Sequence, residues 1–138
     1  MSKILIDTNI MIYSINEESI FYEASRNLLN NSEHSFFISS KNVSEFLAVV
    51  TKKIKQPLSV TKALEIIENF LTFSTLIYPN NFSFFFFQVL LRKYNPKGLK
   101  IYDFEIASIA LSNGINQIAT INKKDFKQID EIELVNLS

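Results

Sequence analysis

The side chains with the types and spacing to do chemistry are carboxylates: Asp7, Glu45, Asp103 and Asp125. Asp7 stops the apolar run Ile4-Leu5-Ile6, Asp103 opens a helical pattern, and Asp125 lies five residues beyond the apolar segment ending at Thr120. Glu45 sits inside the otherwise apolar window VSEFLAVV. It belongs either on a solvated stripe or against a polar pocket. Acids gathered at one place repel each other and bind protons more tightly unless a cation joins them. Oxygen ligands without His or Cys favour hard ions such as Mg²⁺ or Mn²⁺. Such an ion polarises a phosphoryl oxygen and acidifies a water, so a phosphodiester can be hydrolysed without a protein nucleophile.

Composition narrows the alternatives. The chain has 138 residues and fits a single domain, 1–138. Hydrophobic residues make up 47%, enough to build a core, so disorder is excluded. The absence of cysteine excludes disulfide scaffolds, Cys-based zinc and iron–sulfur sites and thiol catalysis. His34 is the single histidine, which rules out a multi-His zinc site. Basic and acidic residues balance at 14 each, unlike a dedicated duplex-DNA binder. Lysine-rich groups at 52–55, 97–100 and 123–127 remain available to guide phosphates. The only glycines, Gly98 and Gly114, are isolated, so no phosphate-cradling loop is present. No signal peptide or bilayer-length apolar run is visible, and the chain reads as cytoplasmic, with no membrane association.

Hydrophobic periodicity supplies the elements that would position the acids. Strands are expected at 3–6, 35–39, 74–78, 117–120 and 133–137, each a short apolar run rich in β-branched or aromatic residues. Helices are expected at 8–14, 19–30 with Ser19 as N-cap, 40–54, 59–70, 81–94, 103–113 with Asp103 as N-cap, and 125–129. Alternating strands and helices imply an α/β fold with a parallel sheet covered on both faces. Ligands in such sheets collect at the strands' carboxyl ends, where the winding reverses. Phe84 to Phe87 point all round their helix, so some of these rings must leave the chain's own core.

Together these motifs resemble a PIN domain, in the order found in VapC-type toxins of bacterial toxin–antitoxin systems. The matching stretches are Ile4-Leu5-Ile6-Asp7-Thr8-Asn9, Ser44-Glu45-Phe46, Tyr102-Asp103 through Ala107 and Ala110, and Thr120-Ile121-Asn122 with Asp125-Phe126. They span about residues 3 to 136. The resemblance implies a three-layer α/β/α sandwich with a parallel sheet of four to five strands. It also implies a metal-dependent endoribonuclease using Mg²⁺ or Mn²⁺, held by a cognate antitoxin protein. Asp7 and Asp103 would ligate metal. Asp7, Glu45 and Asp103 would form the catalytic pocket and orient the attacking water. Thr8 and Asn9 would shape the turn, with Thr120, Asn122 and Asp125 in support. The family often has an acid two residues after the Thr. Here that place holds Asn122, and Asp125 could supply the charge from the next turn. The other readings are a PIN-like module that binds RNA or protein without cutting, and a phosphatase of the haloacid-dehalogenase kind. The latter wants D-x-D after the first strand, and Asn9 stands where its second acid belongs. RNA as substrate and a homodimer complete the expectations, with the Phe84–Phe87 rings contributing to a homodimer interface or to an antitoxin groove.

Overall fold

A computed structural model describes residues 2–137. Strands β1 (Ser2–Ile6), β2 (His34–Ser39), β3 (Ser74–Ile77), β4 (Gln117–Ala119) and β5 (Glu133–Leu134) form one parallel sheet in the order β3-β2-β1-β4-β5. Helices α1 (Thr8–Ser14), α2 (Tyr22–Leu29), α3 (Ser40–Val50), α4 (Val60–Phe70), α5 (Ser83–Tyr94) and α6 (Lys100–Ser112) cover it. The chain winds outward from β1 to β3, then returns to the far side of β1 for β4 and β5. The direction therefore reverses at β1, and the crevice between β1 and β4 opens at the carboxyl edge.

Strand alternation divides the apolar residues into two cores. Ile4, Ile6, Phe36 and Ile38 face α1 to α4, where Ile10, Met11, Phe46, Val50, Ile67 and Phe70 pack. Leu5 and Ile118 face the opposite layer, with Leu90 of α5, Phe104, Ile106 and Ile109 of α6, and Phe126. The expected three-layer sandwich is the observed one, with five strands. β1 is buried on both faces, which explains its uninterrupted apolar run. From Phe104 to Ala110 every residue of α6 except Glu105 is buried.

Several element boundaries differ from expectation. α2 begins at Tyr22, because the Ser19 hydroxyl caps only a local turn, accepting from Phe21 N at 3.0 Å. α3 ends at Val50; Leu58 N donates to Val50 O at 2.9 Å, and the chain folds back before it can extend the helix to residue 54. α5 opens at Ser83, two residues late, with Asn80 Oδ1 accepting from Phe82 N at 2.9 Å. α6 opens one turn early, at Lys100, so Asp103 lies within its first turn and is not its N-cap. A 3₁₀ turn spans Lys123–Asp125 in place of a helix over 125–129. β5 is two residues long, although Val135 N still reaches Ile118 O at 3.0 Å.

Candidate active site

Asp7 ends β1 and caps α1. Its backbone is extended, and its Oδ1 accepts from Thr8 N at 2.9 Å. The side chain is only 8% exposed, so its lone pairs must find donors inside the protein. Thr120, just past β4, donates its hydroxyl to Asp7 Oδ2 at 2.8 Å, and Asn9 Nδ2 approaches the same oxygen at 3.3 Å. Thr120 Oγ1 in turn accepts from Asn9 Nδ2 and from Asn122 N, each at 3.1 Å. Asn9 Oδ1 accepts from Ile121 N at 3.1 Å. Asn9 and Thr120 thus bind the turn after β1 to the turn after β4 across the crevice.

The sequence reading missed Asn42. It is fully buried on α3, which Ser39 caps. The Ser39 hydroxyl donates to Asn42 Oδ1 at 2.6 Å, while Asn42 Nδ2 donates to Thr8 Oγ1 at 3.0 Å and, more weakly, towards Asp7 Oδ1 at 3.4 Å. The one available signal was Ser39 three residues before Asn42, the spacing of a helix cap.

One turn further along α3, Glu45 reaches the same region. Its Oε1 is buried without a hydrogen-bond partner. Burial raises its proton affinity, and the charge on Asp7 raises it further, while Lys41 and the Thr8 hydroxyl lower it. Burial also raises Asp7 above the usual carboxylate range, against the hydrogen bonds from Thr120, Thr8 and Asn42; the charge of Asp125 adds to the rise. Asp103 is pushed up to about 7, first by loss of water, then by Asp125 and Asp7. Its place in the first turn of α6 favours an anion, but desolvation and crowding outweigh that. Lys100 offsets only part of it.

A cavity of about 540 Å³ collects Glu45, Asp103 and Asp125, and is lined also by Lys41, Leu99, Lys100 and Tyr102. Asp7 lies close enough to raise the proton affinity of Glu45 and Asp103. The expected acids therefore converge, although they come from four separate segments. Asp125 lines the cavity, whereas Asn122 is exposed and joins the site through its backbone N–H.

The residues present suit a hard divalent cation. Every candidate ligand atom is oxygen, one buried carboxylate oxygen has no partner, and protons are held because burial and neighbouring acids outweigh Lys41 and Lys100. Among the described residues, no three acidic side chains are grouped so that they could hold a metal ion as they stand.

The sequence profile of the PIN domain matches residues 4–132. The chain belongs to the PIN-domain family. Among solved structures, this PIN domain is similar to a chain of VapBC2 from Rickettsia felis bound to a promoter DNA fragment, with 25% identity over 99% of both chains and a TM-score of 0.71. It is similar to DNA-bound VapBC from Salmonella typhimurium, with 25% identity over the whole of both chains and a TM-score of 0.70. Mycobacterium tuberculosis VapC20, described as a sarcin-ricin-loop-cleaving toxin, shares the fold at 11% identity, 90% coverage of this chain and 93% of that one, with a TM-score of 0.68. No curated protein sequence matches. Among the described residues of the PIN domain, no helix is long and apolar enough to cross a membrane.

Proposed function

We propose that this PIN domain is a metal-dependent endoribonuclease and the toxin of a toxin–antitoxin pair, acting in the cytoplasm. The observation that carries the chemistry is the gathering of Glu45, Asp103 and Asp125 at one cavity beside the buried Asp7, with Asp7, Glu45 and Asp103 binding protons more tightly than usual. Its likeness over full length to chains of VapBC complexes supports the antitoxin partner.

Asp7 and Asp103 would hold Mg²⁺ or Mn²⁺, with Glu45 and Asp125 completing the acidic lining. When bound, the ion would neutralise the phosphodiester and make water acidic enough to attack phosphorus. The protein's own contribution is positional. Thr120, Asn9 and Asn42 fix the Asp7 carboxylate through hydrogen bonds to its oxygens. Glu45 lines the cavity, and its carboxylate can accept a proton from a water and orient it. Lys41 and Lys100 stand at the same cavity and offset its repulsion of an incoming phosphate.

The test is incubation with total cellular RNA, with Mn²⁺ or with EDTA, followed by mapping of the ends. Discrete new ends are expected only with metal and only when Asp7 is intact; Asp7→Asn should abolish them. Asn122 in place of an acid favours a module that binds RNA without cutting, and that reading wins if the folded protein retains RNA yet yields no ends in Mn²⁺. A homodimer is proposed on the exposed rings of Phe84 and Phe85, which are 65% and 60% exposed. Sedimentation as a monomer at micromolar concentration would remove it.

A further inference from the structure

The acidic cavity has a second wall whose exposed ring and apolar surface, Tyr102 and Leu99, the proposed hydrolysis does not use. Leu99 and Tyr102 stand three residues apart at the start of α6, so they share one helix face, while Lys100 and Asp103 share the next. Leu99 is 81% exposed and Tyr102 50% exposed, and both line the cavity. Large apolar surface left in water at the mouth of a carboxylate pocket does not serve the fold. The Tyr102 ring is nonetheless held in place. Lys41 Nζ lies 4.5 Å from its centroid, and the same ammonium is 3.6 Å from Glu105 Oε1. A cation over the ring and an anion behind the cation fix the aromatic plane while leaving half of the side chain open. Lys100 is fixed as well, donating to Lys124 O at 3.0 Å. The wall therefore offers a positioned aromatic ring with lysines beside it, in the same cavity as Glu45, Asp103 and Asp125.

We propose that Tyr102 and Lys41, with Leu99 and Lys100, form a subsite that stacks one unpaired base of the RNA next to the bond being cut. The subsite rests on the ribonuclease reading above. A base can lie on the ring only when it is not stacked in a duplex, so the subsite selects single-stranded or looped segments. Stacking on an aromatic ring tolerates any base, so it sets strandedness and register and leaves base identity free. The lysines meet the flanking phosphates, giving a salt-dependent component.

The chain contains no tryptophan, so Tyr102→Trp introduces a single indole as a local reporter. In the uncleaving Asp7→Asn background, titration with a short mixed-sequence single-stranded oligoribonucleotide should quench that indole saturably. The matching blunt duplex should quench it far less. By direct binding of a labelled oligonucleotide, Tyr102→Phe should match the parent, whereas Tyr102→Leu should weaken Kd by about 5- to 100-fold. In the cleaving chain with Mn²⁺, Tyr102→Leu should raise KM more than it lowers kcat. An indole that does not respond to an oligonucleotide that demonstrably binds overturns the subsite, and so does a Tyr102→Leu protein with parental Kd. Absence of cleavage by the parent in Mn²⁺, with these binding results intact, overturns the ribonuclease reading instead.

Discussion

Asp103→Asn should stabilise the protein in metal-free buffer, and only above mildly acidic pH. In the folded state the carboxyl titrates near 7, against an ordinary value of 3.8, because burial and the neighbouring Asp125 and Asp7 disfavour its charge. Below about pH 4 the group is neutral in both the folded and unfolded chains, so it costs nothing. As pH rises, the unfolded chain releases the proton while the folded chain keeps it. Stability therefore falls between about pH 4 and 7 and stays lower above that window. For a fully buried group such a displacement would be worth ~4 kcal/mol. Asp103 is half-exposed, and solvent screening reduces the figure to about 1–2 kcal/mol. Among the described residues its carboxylate has no hydrogen-bond donor, so the amide gives up nothing in return. For a chain of 138 residues, 1 kcal/mol moves Tm by roughly 3 °C, so the variant should melt about 3–6 °C higher at pH 8 in EDTA and equal the parent at pH 4. Parallel melting curves from pH 4 to 8 would refute the claim that crowding and desolvation at this cavity act against the fold.

Three further outcomes are expected. Mn²⁺ should raise Tm in the parent through binding to the folded state alone, and Glu45→Gln should reduce that rise; a thermal-shift titration reads both. Thr120→Val removes the hydroxyl that donates to Asp7 and accepts from Asn9 and Asn122, and should cost about 1–3 kcal/mol in urea denaturation, so an unchanged midpoint would mean the network is dispensable. Ser39→Ala removes the α3 cap and leaves Asn42 Oδ1 short of a donor; a loss of about 1–2 kcal/mol is expected, and it should exceed that of Ser59→Ala, which removes only a solvent-exposed cap bond at the start of α4.

How much was legible from sequence depended on how local the determining contact is. β1 and Asp7 could be read directly, because a strand buried on both faces leaves an unbroken apolar run and its end needs a turn residue. The covering helices were found by period; α1 matches at both ends and α4 and α5 at their last residues, whereas the starts of α2, α5 and α6 and the end of α3 were not found. The start of α6 could not be read because Leu99 makes no side-chain cap, and Asp103 mimicked one a turn later. Asn42 was invisible for a different reason. A polar residue in a helix pattern reads as solvated, and its burial comes from partners 34 and 35 residues away. The choice between Asn122 and Asp125 likewise lay beyond spacing. The 3₁₀ turn between them turns Asp125 into the cavity and leaves Asn122 at the surface.

The carboxylates are scattered from position 7 to position 125 of 138, and the hydroxyl that steadies the first of them is at 120. A ribosome making this chain must therefore release nearly all of it before the oxygens can meet. Until β4 slots in beside β1, the nascent polypeptide has no assembled carboxylate site. The delay is written into the order of the strands.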